Sequence, residues 1–184
     1  AAKWAIYSPD KTAFKEYESG RSLRYDDLNR LGNRLAHRLS RSCQIRRGDR
    51  IAVLAENCLE YLILFVAAQK TGAVLVPLNY RLAGPEIDYL LQNADPRLII
   101  GEGQFQALLE KAPAYRSVSH RWSLEELRQF CDVKIETPDD QAYEPEALSD
   151  ADPIFILYIS GTTGFPKGAL YTHGMLLCLS SNTA

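Results

Sequence analysis

Cysteine is scarce. The 184 residues hold four, at Cys43, Cys58, Cys131 and Cys178, too far apart for any C-x-x-C pair. That spacing excludes a paired-cysteine zinc site and gives no disulfide framework, so reduced thiols in a cytoplasmic protein are the expectation. Excess charge of one sign is also missing: 21 Lys and Arg stand against 23 Asp and Glu. A near-neutral chain lacks the basic surface that nucleic-acid binding needs, so no DNA or RNA partner is expected. Long apolar runs are absent too. The longest, Tyr61 to Ala68, is far short of the roughly 20 residues of a membrane span, and no charged-then-apolar leader opens the chain. With three histidines, no Ser–His–acid set can be argued from spacing. There is no internal repeat and no low-complexity tract.

What is present is ordinary for a folded protein: 46% apolar and 10% aromatic residues, enough apolar surface to offset the entropy of ordering. The length allows one domain and at most part of a second. Thr12 to Tyr17 and Ser22 to Tyr25 flank the turn Glu18-Ser19-Gly20-Arg21 and read as a hairpin. A helix follows from about Asp26, with Leu28, Leu31, Leu35 and Leu39 at helical spacing and an acidic start that suits its dipole.

From Ile51 onward, short apolar runs alternate with helical stretches. Ile51–Ala55, Ala73–Val76 and Arg97–Ile100 read as buried strands. Between them lies a helix with Asn57 as cap and Glu60 as its reciprocal partner, ending at Gly72. A second, opened by Pro85, runs from Glu86 to Asn93. Weaker helices are expected at Gln104–Lys111 and Trp122–Phe130, and a last strand at Ile154–Tyr158. This order predicts an α/β fold: a largely parallel sheet with helices on both faces. The acidic, proline-bearing stretch 137–153 reads as an exposed connector. The chain opens on Ala1 and closes in the apolar Met175–Leu179, which reads as a piece of a longer polypeptide.

The densest chemistry follows the last strand. Ser160-Gly161-Thr162-Thr163-Gly164-Phe165-Pro166-Lys167-Gly168 holds three glycines, three hydroxyls and one lysine in nine residues. Glycines let backbone N–H groups converge on a ligand, hydroxyls donate to phosphate oxygens, and Lys167 adds a compact positive charge. Successive inward amides make an anion-binding concavity. It is not a Walker loop, because Pro166 and Gly168 flank the lysine, nor a G-x-G-x-x-G or G-x-S-x-G element. Ala169–Thr172 continues as a strand, so no helix dipole serves this anion site.

Tyr158 to Gly168 resembles the signature loop of the AMP-forming adenylating enzymes: acyl-CoA synthetases, adenylation domains of peptide synthetases and firefly-type luciferases. Leu23-Arg24-Tyr25-Asp26-Asp27-Leu28 is similar to that family's early L-x-Y-x-x-L element. Lys70 to Asn79 resembles its K-x-G-A-x-x-V-P-L-N element, with Tyr80-Arg81-Leu82 continuing as in acid–CoA ligases. Pro77-Leu78-Asn79 tilts the choice away from peptide-synthetase domains. The resemblance implies the N-terminal portion, over residues 1–184, of an AMP-binding domain in an AMP-forming acid–CoA ligase. A fatty or other organic acid would attack Mg-ATP to give an acyl-adenylate, and CoA would then displace AMP.

By residue match, Ser160, Gly161, Thr162, Thr163, Gly164 and Lys167 would hold the β- and γ-phosphates, Lys167 with a catalytic role. Ile159 stands where relatives often carry Thr or Ser, so it brings no hydroxyl. The family's magnesium glutamate, adenine and ribose contacts, C-terminal lysine and mobile lid domain would lie beyond Ala184, leaving this segment inactive alone. Two other readings stay open: a domain that loads a carrier protein, and a non-catalytic nucleotide-binding module.

Other candidates read as structural. Arg30, Arg34, Arg38 and Arg41, with Arg46, Arg47 and Arg50 behind them, form a stripe that could dock phosphates or anionic lipid, but a solvated helix face is the plainer expectation. His173 reads as a hydrogen-bonding residue rather than a catalytic one. Cys58 and Cys178 read as packing residues, and Tyr61 with Phe65 as a core pair.

Overall fold

A computed structural model of the chain describes residues 1–132, 137–144, 147–159 and 166–182. The short helix α1 (Ala2–Tyr7) precedes the hairpin of β1 (Thr12–Lys15) and β2 (Ser22–Arg24), then α2 (Tyr25–Ser42). Next come β3 (Arg50–Leu54), α3 (Leu59–Thr71), β4 (Val74–Pro77), α4 (Gly84–Ala94) and β5 (Leu98–Gly101). The single turn α5 (Gln106–Leu109), β6 (His120–Ser123) and α6 (Leu124–Cys131) follow. The chain continues through β7 (Pro153–Ile159) and β8 (Lys167–Thr172) into α7 (His173–Asn182). Six strands form one sheet in the order β6-β5-β3-β4-β7-β8, parallel throughout except for β8, which runs back against β7. The expected α/β architecture is thus present.

The alternation of side chains along a strand explains the layers. Ile51, Val53, Leu75, Leu98, Ile100 and Ile154 point into one core with Leu28, Leu31, Leu35 and Leu39 of α2, Ile63 and Leu64 of α3, and Leu127 of α6. The residues of opposite parity, Ala52, Leu54, Val76 and Ile99, join Ile87, Leu90 and Leu91 of α4 and Leu109 of α5 in a second core. Because both faces are covered, the central strands carry unbroken apolar runs. The helix stop at Gly72 is as expected: its φ of 72° is left-handed, which glycine adopts without the Cβ penalty.

Several local expectations are corrected. Asn57 does not cap α3. The helix starts at Leu59 after Cys58, and Glu16 of the first hairpin accepts the Leu59 N–H at 2.9 Å. Glu60, expected as a reciprocal cap, is wholly buried, bonded to Arg21 and 3.7 Å from Arg128 Nε. A cap delivered from another element frees Glu60 to tie α3 to the hairpin and α6. The stretch Trp122–Phe130 divides, with His120–Ser123 a strand paired in parallel to β5 and α6 starting at Leu124. Polar residues in a four-residue edge strand hide it from a search for apolar runs. Its end is marked by a capping box between Ser123 and Glu126, a signal the sequence did carry.

The arginine stripe is solvated only in part: Arg41, Arg46 and Arg47 are exposed, whereas the others are engaged. Arg34 is 3% exposed and grips Asp140 through Nε at 2.5 Å and Nη2 at 2.8 Å. Arg41 reaches Asp139 at 2.6 Å, and Arg38 lies over the rings of Trp122 and Phe130 at 4.8 and 4.6 Å. Arg50 bonds the carbonyls of Ala94 and Asp95 at 2.7 and 2.6 Å. These guanidinium groups fasten loops and helix ends, so neither phosphate nor lipid docking describes them. The connector is likewise held down at its acids: the Asp140 side chain is 10% exposed and Asp152 is 8% exposed. Cys43 is buried and Cys58 half-buried, but Cys178, expected as a packing residue, is exposed. Tyr61 and Phe65 are partly buried against the first core, as expected of a packing pair.

Candidate functional site

All parallel strands end at one edge of the sheet, where open α/β folds bind ligands. There the hairpin of β7 and β8 delivers the glycine-rich stretch. The strands pair from Leu157↔Ala169 through Tyr158↔Gly168 to Ile159↔Lys167, so residues 160–166 join two adjacent strand ends. Ser160, Gly161, Thr162, Thr163 and Gly164 lie outside the described residues. Lys167 lies inside them, at the first position of β8 and exposed, with no ion-pair partner among the described residues. An uncommitted ammonium at the ligand edge of a parallel sheet is suited to an anion.

Gly168 is required by packing. A Cβ there would come within 2.8 Å of Ile156 Cγ2 and 3.5 Å of the Tyr158 ring, so only glycine lets β8 lie this close. Tyr158 in turn donates its hydroxyl to Asn93 Oδ1 of α4 at 2.6 Å, and burial pushes its phenol pKa up, with Tyr89 adding to the rise. On the other face Phe155 stacks on Phe65 of α3, rings nearly parallel with centroids 5.3 Å apart. Ile159 is 58% exposed beside Lys167 and offers no hydroxyl.

At the far end of the hairpin, Asp152 O accepts the His173 N–H at 3.0 Å, and Asp150 O accepts that of Gly174 at 2.8 Å. His173 therefore closes the hairpin's base through its backbone, away from the loop end. Burial lowers its imidazole pKa, partly opposed by Asp152 and Asp150. The hydrogen bond that His173 makes here is its backbone's, whereas its imidazole Nε2 is buried without a hydrogen-bond partner among the described residues. Burial raises the thiols of Cys58 and Cys131 to about 11 and about 12, which keeps both protonated and unreactive at neutral pH.

The sequence reading did not find a cleft of about 890 Å³ at the same edge. It lies between the first hairpin (Phe14, Arg21) and the turn from β3 into α3 (Glu56, Asn57), with Tyr80 and Glu102 on its rim. Its residues come from five separate segments, so no local motif announces it. Among the described residues no three His, Cys, Asp or Glu side chains gather where they could hold a metal ion. No helix of the described residues is long and apolar enough to cross a membrane.

The fold is an α/β domain whose mostly parallel sheet ends, at its C-terminal edge, in the β7–β8 hairpin that bears Lys167. Comparison with known proteins narrows the class. The AMP-binding enzyme family model matches residues 2–183, and the chain belongs to that family. It is 33% identical over 184 residues to the long-chain-fatty-acid–CoA ligase FadD13 of Mycobacterium tuberculosis, covering 98% of this chain and 35% of that protein. It is 34% identical over 154 residues to the fatty acid–[acyl-carrier-protein] ligase ScoC of Streptomyces coeruleorubidus, covering 84% of this chain and 29% of that one. Among solved structures, a Mycobacterium tuberculosis fatty acyl CoA synthetase superposes with a TM-score of 0.80 at 31% identity, over 94% of this chain and 33% of the other. The chain thus spans about a third of the length of these relatives.

Proposed function

We propose that the full-length protein is an AMP-forming acid–CoA ligase, of whose AMP-binding domain residues 1–184 are the N-terminal part. A free carboxylate is a poor acyl donor, whereas its mixed anhydride with AMP is a reactive one. The acid's carboxylate attacks the α-phosphate of ATP, pyrophosphate leaves, and the thiol of CoA then displaces AMP to give the thioester. Ser160, Gly161, Thr162, Thr163 and Gly164 cradle the β- and γ-phosphates through amide and hydroxyl donors. Lys167 stabilises the charge that moves onto pyrophosphate, a donor in place before the charge develops. ATP enters with magnesium. A fatty or related organic acid is the substrate class and the cytoplasm the location, in keeping with the fatty-acid ligases among the relatives.

The observation that carries this reading is Lys167, exposed at the C-terminal edge of the sheet with no ion-pair partner among the described residues and two residues after the Ser160–Phe165 stretch in sequence. ATP–pyrophosphate exchange by the full-length protein, driven by a panel of carboxylic acids, tests it; no exchange with any acid would exclude an adenylating enzyme. A second reading, transfer of the acyl group to a carrier protein, is favoured by the similarity to ScoC. Thioester formation on CoA against a phosphopantetheinyl carrier separates the two.

A further inference from the structure

The link from α6 to β7 crosses the side of α2 that faces away from its leucine stripe. Its segment 137–144 meets one row of that helix, Arg30, Asn33, Arg34, His37 and Arg41, whose spacing puts them on a single face. No residue of 137–144 is fully buried. Tyr143 supplies its apolar contact, packed against the first core with its ring edge-on to His37, centroids 5.0 Å apart. The other contacts named below are polar.

They converge on Asp140. Its two carboxylate oxygens accept Arg34 Nε at 2.5 Å and Nη2 at 2.8 Å, a two-pronged grip, with Arg30 Nη1 at 3.4 Å beside it. They also accept the Thr137 N–H at 3.1 Å and its hydroxyl at 3.2 Å, which closes the turn on itself. The Asp140 carbonyl accepts Asn33 Nδ2 at 3.1 Å, and Asn33 Oδ1 in turn accepts the Tyr143 N–H at 3.4 Å. Asn33 thus pairs with the segment as a neighbouring strand would, donating and accepting through one amide. Asn33 and Arg34 are both 3% exposed, a burial that polar and charged groups tolerate only beside a partner. Asp139 adds a peripheral contact to Arg41 at 2.6 Å, on an arginine side chain that is 64% exposed.

We infer that 137–144 is a polar latch on α2, which opens and closes as a unit ahead of global unfolding, with Asp140 as its bolt. A segment with few buried apolar contacts opens at a lower free energy than the core beneath it. Opening breaks the contacts of Asp140 and Tyr143 but neither core, because the leucines of α2 face the other way, into the sheet. It gives slack to the link that leads into β7 while Ile154, Phe155 and Tyr158 keep β7 in place. The closed state dominates, because opening takes a carboxylate away from the buried Arg34 guanidinium.

Amide hydrogen exchange on the full-length protein, repeated at low concentrations of denaturant, tests this. The Tyr143 amide reports docking, because its acceptor lies on α2, and the Asp140 amide, bonded to Thr137 O at 2.9 Å, reports the turn. The amides of Leu35 and Leu39, fully buried in α2, report global unfolding. In the wild type, the Asp140 and Tyr143 amides should be protected and exchange together, about 10-fold or more faster than those of Leu35 and Leu39. Their rates should barely respond to denaturant, since opening the latch exposes little surface. Asp140→Asn should speed the Tyr143 amide about 10–100-fold, the loss of a hydrogen-bonded charge. Asp139→Asn, at the exposed pair, should change it less than about 3-fold. Should Asp140→Asn not fold, Arg34→Lys, which keeps the charge without the fork, takes its place with the same expectation. The inference is overturned if the Tyr143 amide is unprotected, or if it shares the rate and denaturant slope of Leu35 and Leu39. It is equally overturned if Asp140→Asn, or its substitute, moves the Tyr143 amide no more than Asp139→Asn does. The measurement needs neither ATP nor an acid, so its outcome is independent of the adenylating reading.

Discussion

The four-strand block β6-β5-β3-β4 and the β7–β8 hairpin are built on different terms. In the block, both faces are covered, and residues such as Leu54, Leu75, Leu98 and Ile100 are fully buried. The hairpin and the helix after it keep Ile159, Leu170, Met175, Leu177 and Leu179 more than half exposed. The block is a support whose order follows from burying apolar surface. The hairpin joins the block along β4, with Ile154 in the first core and Phe155 and Tyr158 packed on opposite faces, while its outer strand β8 is more open. On the proposed reading, loss of the block should unfold the protein, whereas loss at the open end of the hairpin should disarm it.

The largest effect expected is on the hairpin side. Lys167→Ala in the full-length protein should lower the adenylation rate about 10²–10³-fold, the usual result of removing one preorganised donor, with an unchanged unfolding midpoint. A near-normal rate would break the assignment of chemistry to this hairpin. On the block side, Leu64→Ala should cost about 2–5 kcal/mol in denaturant unfolding, because Leu64 is fully buried between α3 and the sheet. The variant should keep its rate per folded molecule, and a loss of rate without loss of stability would erase the contrast.

A pH experiment sharpens it further. Burial works against the Asp140 carboxylate, yet the Arg34 fork, the Thr137 N–H and Arg30 bring its pKa down to about 2 from 3.8. A depressed carboxylate pKa contributes stability above its unfolded value and loses it as pH falls toward the folded one. The clamp on the connector should thus be intact above about pH 4 and fade between pH 4 and 2. Unfolding measured across that window should be less steep in pH for Arg34→Met than for the wild type; parallel curves would remove Asp140 from the acid response. The smallest effect is local. Ser123→Ala, which removes the hydroxyl that accepts the Glu126 N–H at 3.1 Å, should cost about 1 kcal/mol without altering activity.

Legibility differed in the same way as the two regions do. The buried strands and the leucine stripe of α2 were readable because continuous burial and helical spacing are properties of neighbouring residues. The glycine-rich stretch was readable only as composition and lies outside the described residues, while Lys167 falls at the open end of the hairpin. The partners of the arginines were not readable. Arg34 and Asp140 are 106 residues apart, and Arg47 and Asp152 are 105 apart. Glu60 looked like a cap because a cap is local, whereas its true partners, Arg21 and Arg128, are brought to it from both directions along the chain.

Sequence alone determined the buried strands β3, β4, β5 and β7, the leucine-striped helix α2, and that the sheet is largely parallel. Each of these follows from periodicity or from residue types within a few positions. The tertiary structure alone decided which charges are buried, which acid caps α3 and what holds the base of the hairpin. A charge tolerates burial only beside a specific partner, and which partner arrives is settled by the order in which the strands assemble.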